Sequence, residues 1–102
     1  VRQKENVVEI DSGLNKLLKI RGVEYNTIGN DPENKQIGFI AQEMEEIIPE
    51  IVSTDANGYK GIAYAKLTPI LVEAIKEQQR LIETQQLQID KLINRIDTLE
   101  NK

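Results

Sequence analysis

Ile75, Ile82, Ile89 and Ile96 recur at intervals of seven residues, and Gln78, Gln85, Leu92 and Leu99 follow them three positions later. Leu71 takes the same place one heptad earlier. This is a coiled-coil heptad with isoleucine at each a position and d positions that are two glutamines and then two leucines. No glycine occurs after Gly61, in the last 41 residues. A helix of about 36 residues is roughly 54 Å long at 1.5 Å per residue, longer than a small head is wide. Most of it has to project, and its apolar seam then needs partners from other chains, because a period of seven suits supercoiling rather than a globular surface. Isoleucine at a with leucine at d favours parallel dimers, while Gln78 and Gln85 add polar layers that fix register, so the seam leaves two and three strands open.

The rest of the chain reads as a mixed α+β head, residues 1–65, ahead of the coiled-coil helix, residues 66–102. The head holds all six glycines and carries 7 basic and 11 acidic side chains, whereas the helix carries 6 of each. With 102 residues in all, and a third of them in a rod, the head has room for only a small core. Oligomerisation is the expected remedy.

Within the head, residues 2–10 alternate loosely and read as a strand or an extended lead-in. Asp11-Ser12 offers a helix cap before Leu14, Leu17 and Leu18, an apolar stripe that predicts a short helix over 12–20 with all three leucines facing the core. Residues 23–27 alternate as a half-buried strand and end at the loop formed by Gly29, Asn30, Asp31 and Pro32. Residues 36–40 predict a second short strand. Ile40, Met44, Ile47 and Ile48 then share one face of a helix that Pro49 stops. Asn57-Gly58, between apolar flanks at 51–55 and 59–64, predicts a tight hairpin. From about Ala65 the pattern is helical, and Pro69, tolerated in a first turn, puts the helix start a few residues before it.

Composition removes most chemistries. The chain has no histidine, cysteine or tryptophan, which excludes imidazole catalysis, thiol nucleophiles, disulfides and zinc sites built on Cys or His. A net charge of -4 gives no basic footprint for nucleic acid. No apolar run approaches the roughly 20 residues that span a bilayer, so no membrane partner is expected. Ser12 reads as a cap and Ser53 as a solvent-facing strand residue. Glu43, Glu45, Glu46 and Glu50 read as a solvated helix face rather than a metal site, and neither metal nor cofactor is expected.

Two longer blocks carry a family likeness. Gly38-Phe39-Ile40-Ala41-Gln42-Glu43-Met44, leading to Ile48-Pro49-Glu50, and the run from Tyr59 to Lys76 containing Tyr64-Ala65-Lys66-Leu67-Thr68-Pro69 closely resemble the intramolecular chaperone, auto-processing domain of the S74 peptidase family. That domain ends bacteriophage tailspikes, endosialidases, tail fibres and neck appendages. In the family it opens on Ser-Asp-x-Arg-x-Lys-x-Asn and is cut between the Ser and the Asp. Val1-Arg2-Gln3-Lys4-Glu5-Asn6 matches everything after Ser-Asp. The resemblance therefore makes Lys4 the counterpart of the catalytic lysine and Arg2 the motif arginine before it. It places Ser and Asp at the two positions before Val1, so the chain resembles a released product that lacks its nucleophile.

The implied chemistry is a Ser-Lys dyad, which suits a chain without histidine. A lysine amine titrates at about 10.4 in water and must be depressed by burial or positive charge to act as a base near neutrality. Arg2 would add positive potential, and Glu5 would oppose it. The resemblance implies a homotrimeric chaperone that assists the folding of an upstream fibre or tailspike in the host cytoplasm during virion assembly. As a single-turnover serine endopeptidase in the precursor, it would then cut itself free. An uncleaved trimerisation or fibre-tip module is the alternative, and a non-viral oligomeric adaptor whose long helix binds another protein is a third reading.

Overall fold

A computed structural model describes residues 3–29 and 32–101. Two short helices and two small hairpins precede one long helix: α1 Gly13–Leu17, β1 Val23–Tyr25, β2 Gln36–Gly38, α2 Ala41–Ile47, β3 Val52–Thr54, β4 Lys60–Ile62 and α3 Tyr64–Glu100. A single 3-10 turn, Pro49–Ile51, joins α2 to β3. Each hairpin is its own antiparallel two-stranded sheet, with Glu24 opposite Ile37 in one and Ser53 opposite Gly61 in the other.

The 37 residues of α3 make the molecule long. Its extents are 73 × 46 × 23 Å and its radius of gyration is 21.2 Å, where a compact chain of this length would have about 13 Å. After Glu77 every described residue of the helix is exposed. Only its first turns belong to the core. Leu67, Ile70 and Ala74 are buried there with Met44, Ile48 and Ile51 from α2 and the turn after it, and Leu17, Ile20, Phe39, Ile47, Val52 and Ile62 close around the cluster.

The α2 stripe folds as its spacing predicts: Met44 and Ile48 are 1% and 0% exposed, and Pro49 ends the helix. Ile40, at the helix cap, stays 37% exposed. The second hairpin closes as a three-residue loop with a type I turn and a bulge. The Gly58 amide donates to the Asp55 carbonyl at 3.1 Å, the Asp55 amide donates to the Tyr59 carbonyl at 2.9 Å, and Gly58 alone takes a positive φ, +85°. Asn57 contributes no positive φ.

Three local expectations need correction. The first helix is five residues long, not nine, and Leu18 lies outside it at 76% exposure. Its buried contact is instead Gly13, where an added Cβ would come within 3.2 Å of the Ile70 carbonyl, so close approach to α3 rather than a leucine stripe docks it. Ser12 does occupy the cap position, but with φ +57° and no side-chain capping bond; its own amide donates to Asp11 Oδ1 at 2.8 Å. Pro69 falls in the second turn of α3, because the chain enters the helix directly from β4, with the Lys66 amide on the Ala63 carbonyl at 3.0 Å. The carbonyl that Pro69 cannot serve is that of Ala65, which is solvent-exposed and can be hydrated.

Candidate functional site

The lead-in, residues 3–12, forms no strand among the described residues; it runs extended with a kink at Asn6, φ +54°. Lys4 is exposed on it, and Val7 and Val8 stand out at 78% and 83% exposure. Arg2 lies outside the described residues. Farther along, the lead-in lies beside the start of α3. Val8 and Ile10 share a shallow cleft of about 300 Å³ with Pro69 and Val72, and on its other side Ile10 and Asp11 line a cleft of about 450 Å³ with Lys16, Ile51 and Lys66. Residues 8–11 thus line clefts at the start of α3, where its exposed apolar stripe begins, and Lys4 lies ahead of them in the chain.

That seam is laid out along the helix. Leu71, Ile75, Ile82, Ile89, Leu92, Ile96 and Leu99 are between 41% and 66% exposed, with Gln78 and Gln85 also exposed between them. Beside the seam, Leu81 and Ile93 are 51% and 50% exposed. A long exposed apolar stripe is the kind of surface through which proteins associate.

The two family-like blocks build the head. Gly38 is buried, the Phe39 and Tyr64 rings stack at 6.0 Å, and the Phe39 amide donates to the Tyr64 hydroxyl at 3.3 Å. Sequence reasoning missed two ion pairs. Arg21 grips Glu43 with a two-pronged contact, Nε to Oε1 and Nη2 to Oε2, both 2.8 Å. Lys60 Nζ sits 3.0 Å from both carboxylate oxygens of Glu45 and donates to Thr54 Oγ1 at 3.2 Å. The hydrogen bonds from Arg21, then its charge, hold the Glu43 carboxyl below the ordinary carboxylate range, while Glu43 raises the already high pKa of Arg21. Only Glu46 and Glu50 of the acidic run are freely exposed. The 22-residue separation of Arg21 from Glu43 has no periodic signal, so only the fold reveals the pair.

Among the described residues no carboxylate cluster is arranged to hold a metal ion, and no helix is long and apolar enough to cross a membrane. Ser53 is exposed on β3, as expected, and Ser12 sits 8 positions beyond Lys4 in the chain.

The model of the S74 peptidase family, described as chaperone of endosialidase, matches residues 1–53, from the lead-in to β3. Long tail fiber protein Gp37 of Enterobacteria phage K3 is 32% identical over 74% of this chain, and that of Enterobacteria phage T2 is 32% identical over the same share. The Gp37 of Escherichia phage AR1 is 34% identical over 57%. The chain spans 7%, 6% and 6% of the length of these three relatives. With more than half of its residues matched, including the Lys4 segment and the α2 block, the chain belongs to the S74 peptidase family, the chaperone of endosialidase.

Proposed function

We propose that this chain is the C-terminal intramolecular chaperone of a phage-type tail fibre, that it acts as a homotrimer, and that it is released by self-cleavage. The observation that carries the reading is the family match over residues 1–53, which takes in the Lys4 segment. The tail-fibre relatives supply the client, an upstream fibre of the same precursor.

In this reading the head, residues 1–65, holds the processing segment, and the rod, residues 66–102, gathers three chains. Interwound β-structure is rich in non-local contacts and folds slowly, so chains already held together in register have an advantage. Lys4, exposed on one chain, is the general base. Val7 and Val8, largely exposed on the single chain, offer neighbouring copies an apolar surface close to Lys4 in the chain, and Arg2 is the motif arginine before it. The serine oxygen adds to the carbonyl carbon of the Ser-Asp bond while Lys4 takes the hydroxyl proton. That proton passes to the departing amide nitrogen, and water hydrolyses the ester to leave two separate chains. Cleavage then leaves the fibre kinetically trapped.

The test is expression with the native upstream residues, read on a denaturing gel. Two bands are expected, and one band for Lys4→Ala. A single uncut band from the native precursor overturns self-cleavage and leaves an uncleaved trimerisation module. Cleavage that survives Lys4→Ala removes the lysine from the mechanism.

A further inference from the structure

The tip of the β3–β4 hairpin joins a reactive side chain to a bare backbone nitrogen. The carboxamide of an asparagine is open to attack by the nitrogen of the following residue, and a side chain on that residue shields the nitrogen. Of the eight asparagines in the chain, only Asn57 is followed by glycine. Gly58 offers no shield, and a Cβ added there would meet nothing within 4 Å, so the surroundings are open as well. Asn57 is exposed, and its carboxamide makes no hydrogen bond among the described residues.

We propose that Asn57-Gly58 is a site of spontaneous deamidation and isoaspartate formation, and that Asp55 restrains the reaction while the hairpin is closed. The Gly58 nitrogen gives its proton to a base in solution and adds to Cγ of Asn57. The Cγ–Nδ2 bond breaks, Nδ2 takes up a proton and leaves as ammonia, and a cyclic imide remains. Water then opens the imide. Entry at Cγ gives aspartate, whereas entry at the backbone carbonyl carbon gives isoaspartate, in which the main chain runs through Cβ and Cγ. In both products one water oxygen replaces one amide nitrogen, with no change of oxidation state.

The closed loop opposes the first step. The Gly58 amide donates to the Asp55 carbonyl at 3.1 Å, so its proton is released only when that bond breaks. Asp55 Oδ1 accepts from the Asn57 amide at 2.8 Å and the Tyr59 amide at 3.0 Å, which fixes the residues on both sides of Gly58. The negative charge of the carboxylate also disfavours an anion on a nitrogen so near. Attack therefore belongs to the locally opened hairpin.

The two products differ in consequence. Isoaspartate adds a carbon to the main chain of a three-residue loop, which then no longer matches the Asp55–Tyr59 closure. β3 and β4 hold Val52 and Ile62 against the core, and the Ala63 amide, 2.7 Å from the Ile51 carbonyl, leads straight into α3. A misfit at the tip is thus passed to the elements that build the core. Aspartate keeps the loop length and adds only charge.

The test incubates the full chain in mildly alkaline buffer, folded or in urea, and follows the Asn57 peptide by mass, with isoaspartate read by methyl transfer from an isoaspartyl methyltransferase. An acid should replace the amide slowly in the folded chain and at least about tenfold faster in urea. Asp55→Ala should speed the folded-chain reaction about tenfold, two hydrogen bonds being lost, while Asp55→Asn, whose Oδ1 still accepts, should stay closer to the native rate. In urea, Gly58→Ala should slow the reaction, because its methyl group shields the nitrogen. The isoaspartyl chain should unfold at lower urea than the native one. No conversion of Asn57 in either state, or an unchanged rate for Gly58→Ala in urea, overturns the site. Equal rates for folded and unfolded chain, or for Asp55→Asn and Asp55→Ala, overturn the restraint by Asp55.

Discussion

The Tyr64 hydroxyl occupies the space that a side chain on Gly38 would need: an added Cβ would lie 2.6 Å from that oxygen. The same oxygen accepts the Phe39 amide hydrogen bond at 3.3 Å, so the start of α3 is fastened to the end of β2 at a point where β2 has no side chain. Gly38→Ala should destabilise the head by about 1–3 kcal/mol through overpacking, partly offset by about 0.5–1 kcal/mol from the stiffer backbone. Tyr64→Phe should cost about 1 kcal/mol for the lost acceptor. Because phenylalanine removes the obstructing oxygen, Gly38→Ala should cost less in the Tyr64→Phe background. Urea unfolding at a fixed protein concentration measures the cycle. Equal costs in the two backgrounds would mean that the hydroxyl is not the obstacle.

The Arg21–Glu43 pair makes an acid-dependent contribution. Its carboxyl is held below the ordinary value of 4.5, first by the hydrogen bonds from Arg21. A depressed carboxylate stabilises the fold at pH values above its unfolded pKa, and that stabilisation disappears as pH falls through the lower folded value. Thermal midpoints of the native chain and Glu43→Gln should therefore differ at pH 7 and converge toward pH 3. The gap is expected to be small and to shrink with added salt, since the two side chains are 64% and 43% exposed. A gap unchanged across that range would assign the effect to packing.

The second hairpin depends on one carboxylate and one glycine. Asp55 Oδ1 accepts from the Asn57 amide at 2.8 Å and the Tyr59 amide at 3.0 Å, while Gly58 holds the left-handed conformation that closes the loop. Gly58→Ala should cost about 1–2 kcal/mol and Asp55→Ala a similar amount. Gly58→Asn should cost less than Gly58→Ala, because asparagine tolerates that conformation better. Urea midpoints that place Asn and Ala together would count against backbone strain as the cause.

The parts of this fold that were legible in the sequence are those built by local periodicity. The α2 stripe and the hairpin at Gly58 each announce themselves within a dozen residues, and the length of α3 follows from a seven-residue repeat carried from Leu71 to Leu99. Leu18 was misread because a stripe of three leucines fits a nine-residue helix, while the real helix ends at Leu17 and docks through Gly13. The contacts that lock the head together join positions far apart in the chain, Arg21 to Glu43, Glu45 to Lys60 and Gly38 to Tyr64, and no spacing rule connects such residues. At the candidate site the limit is different: Lys4 is singled out by family likeness, and on a single chain it is one exposed amine among several.

Head and rod should fail separately. Ile48 is fully buried, and Ile48→Ala should destabilise the head by about 2–5 kcal/mol. Ile82 is 51% exposed on the single chain, so Ile82→Asp removes no contact within the head. In an assembly it places a charge from every strand in the seam, which is strongly unfavourable, and Ile89→Asp should act the same way. Both aspartate variants should fall to the monomer mass by light scattering. Their helical circular dichroism should also drop, because the part of α3 beyond the head loses its only packing and an isolated helix of that length is marginal in water. Asn94→Asp, at an f position on the outer face, adds the same charge to the same helix and should leave both mass and helicity unchanged. An Ile82→Asp chain that keeps the native mass would refute the heptad register, and an Asn94→Asp chain that dissociates would place the seam on another face of α3.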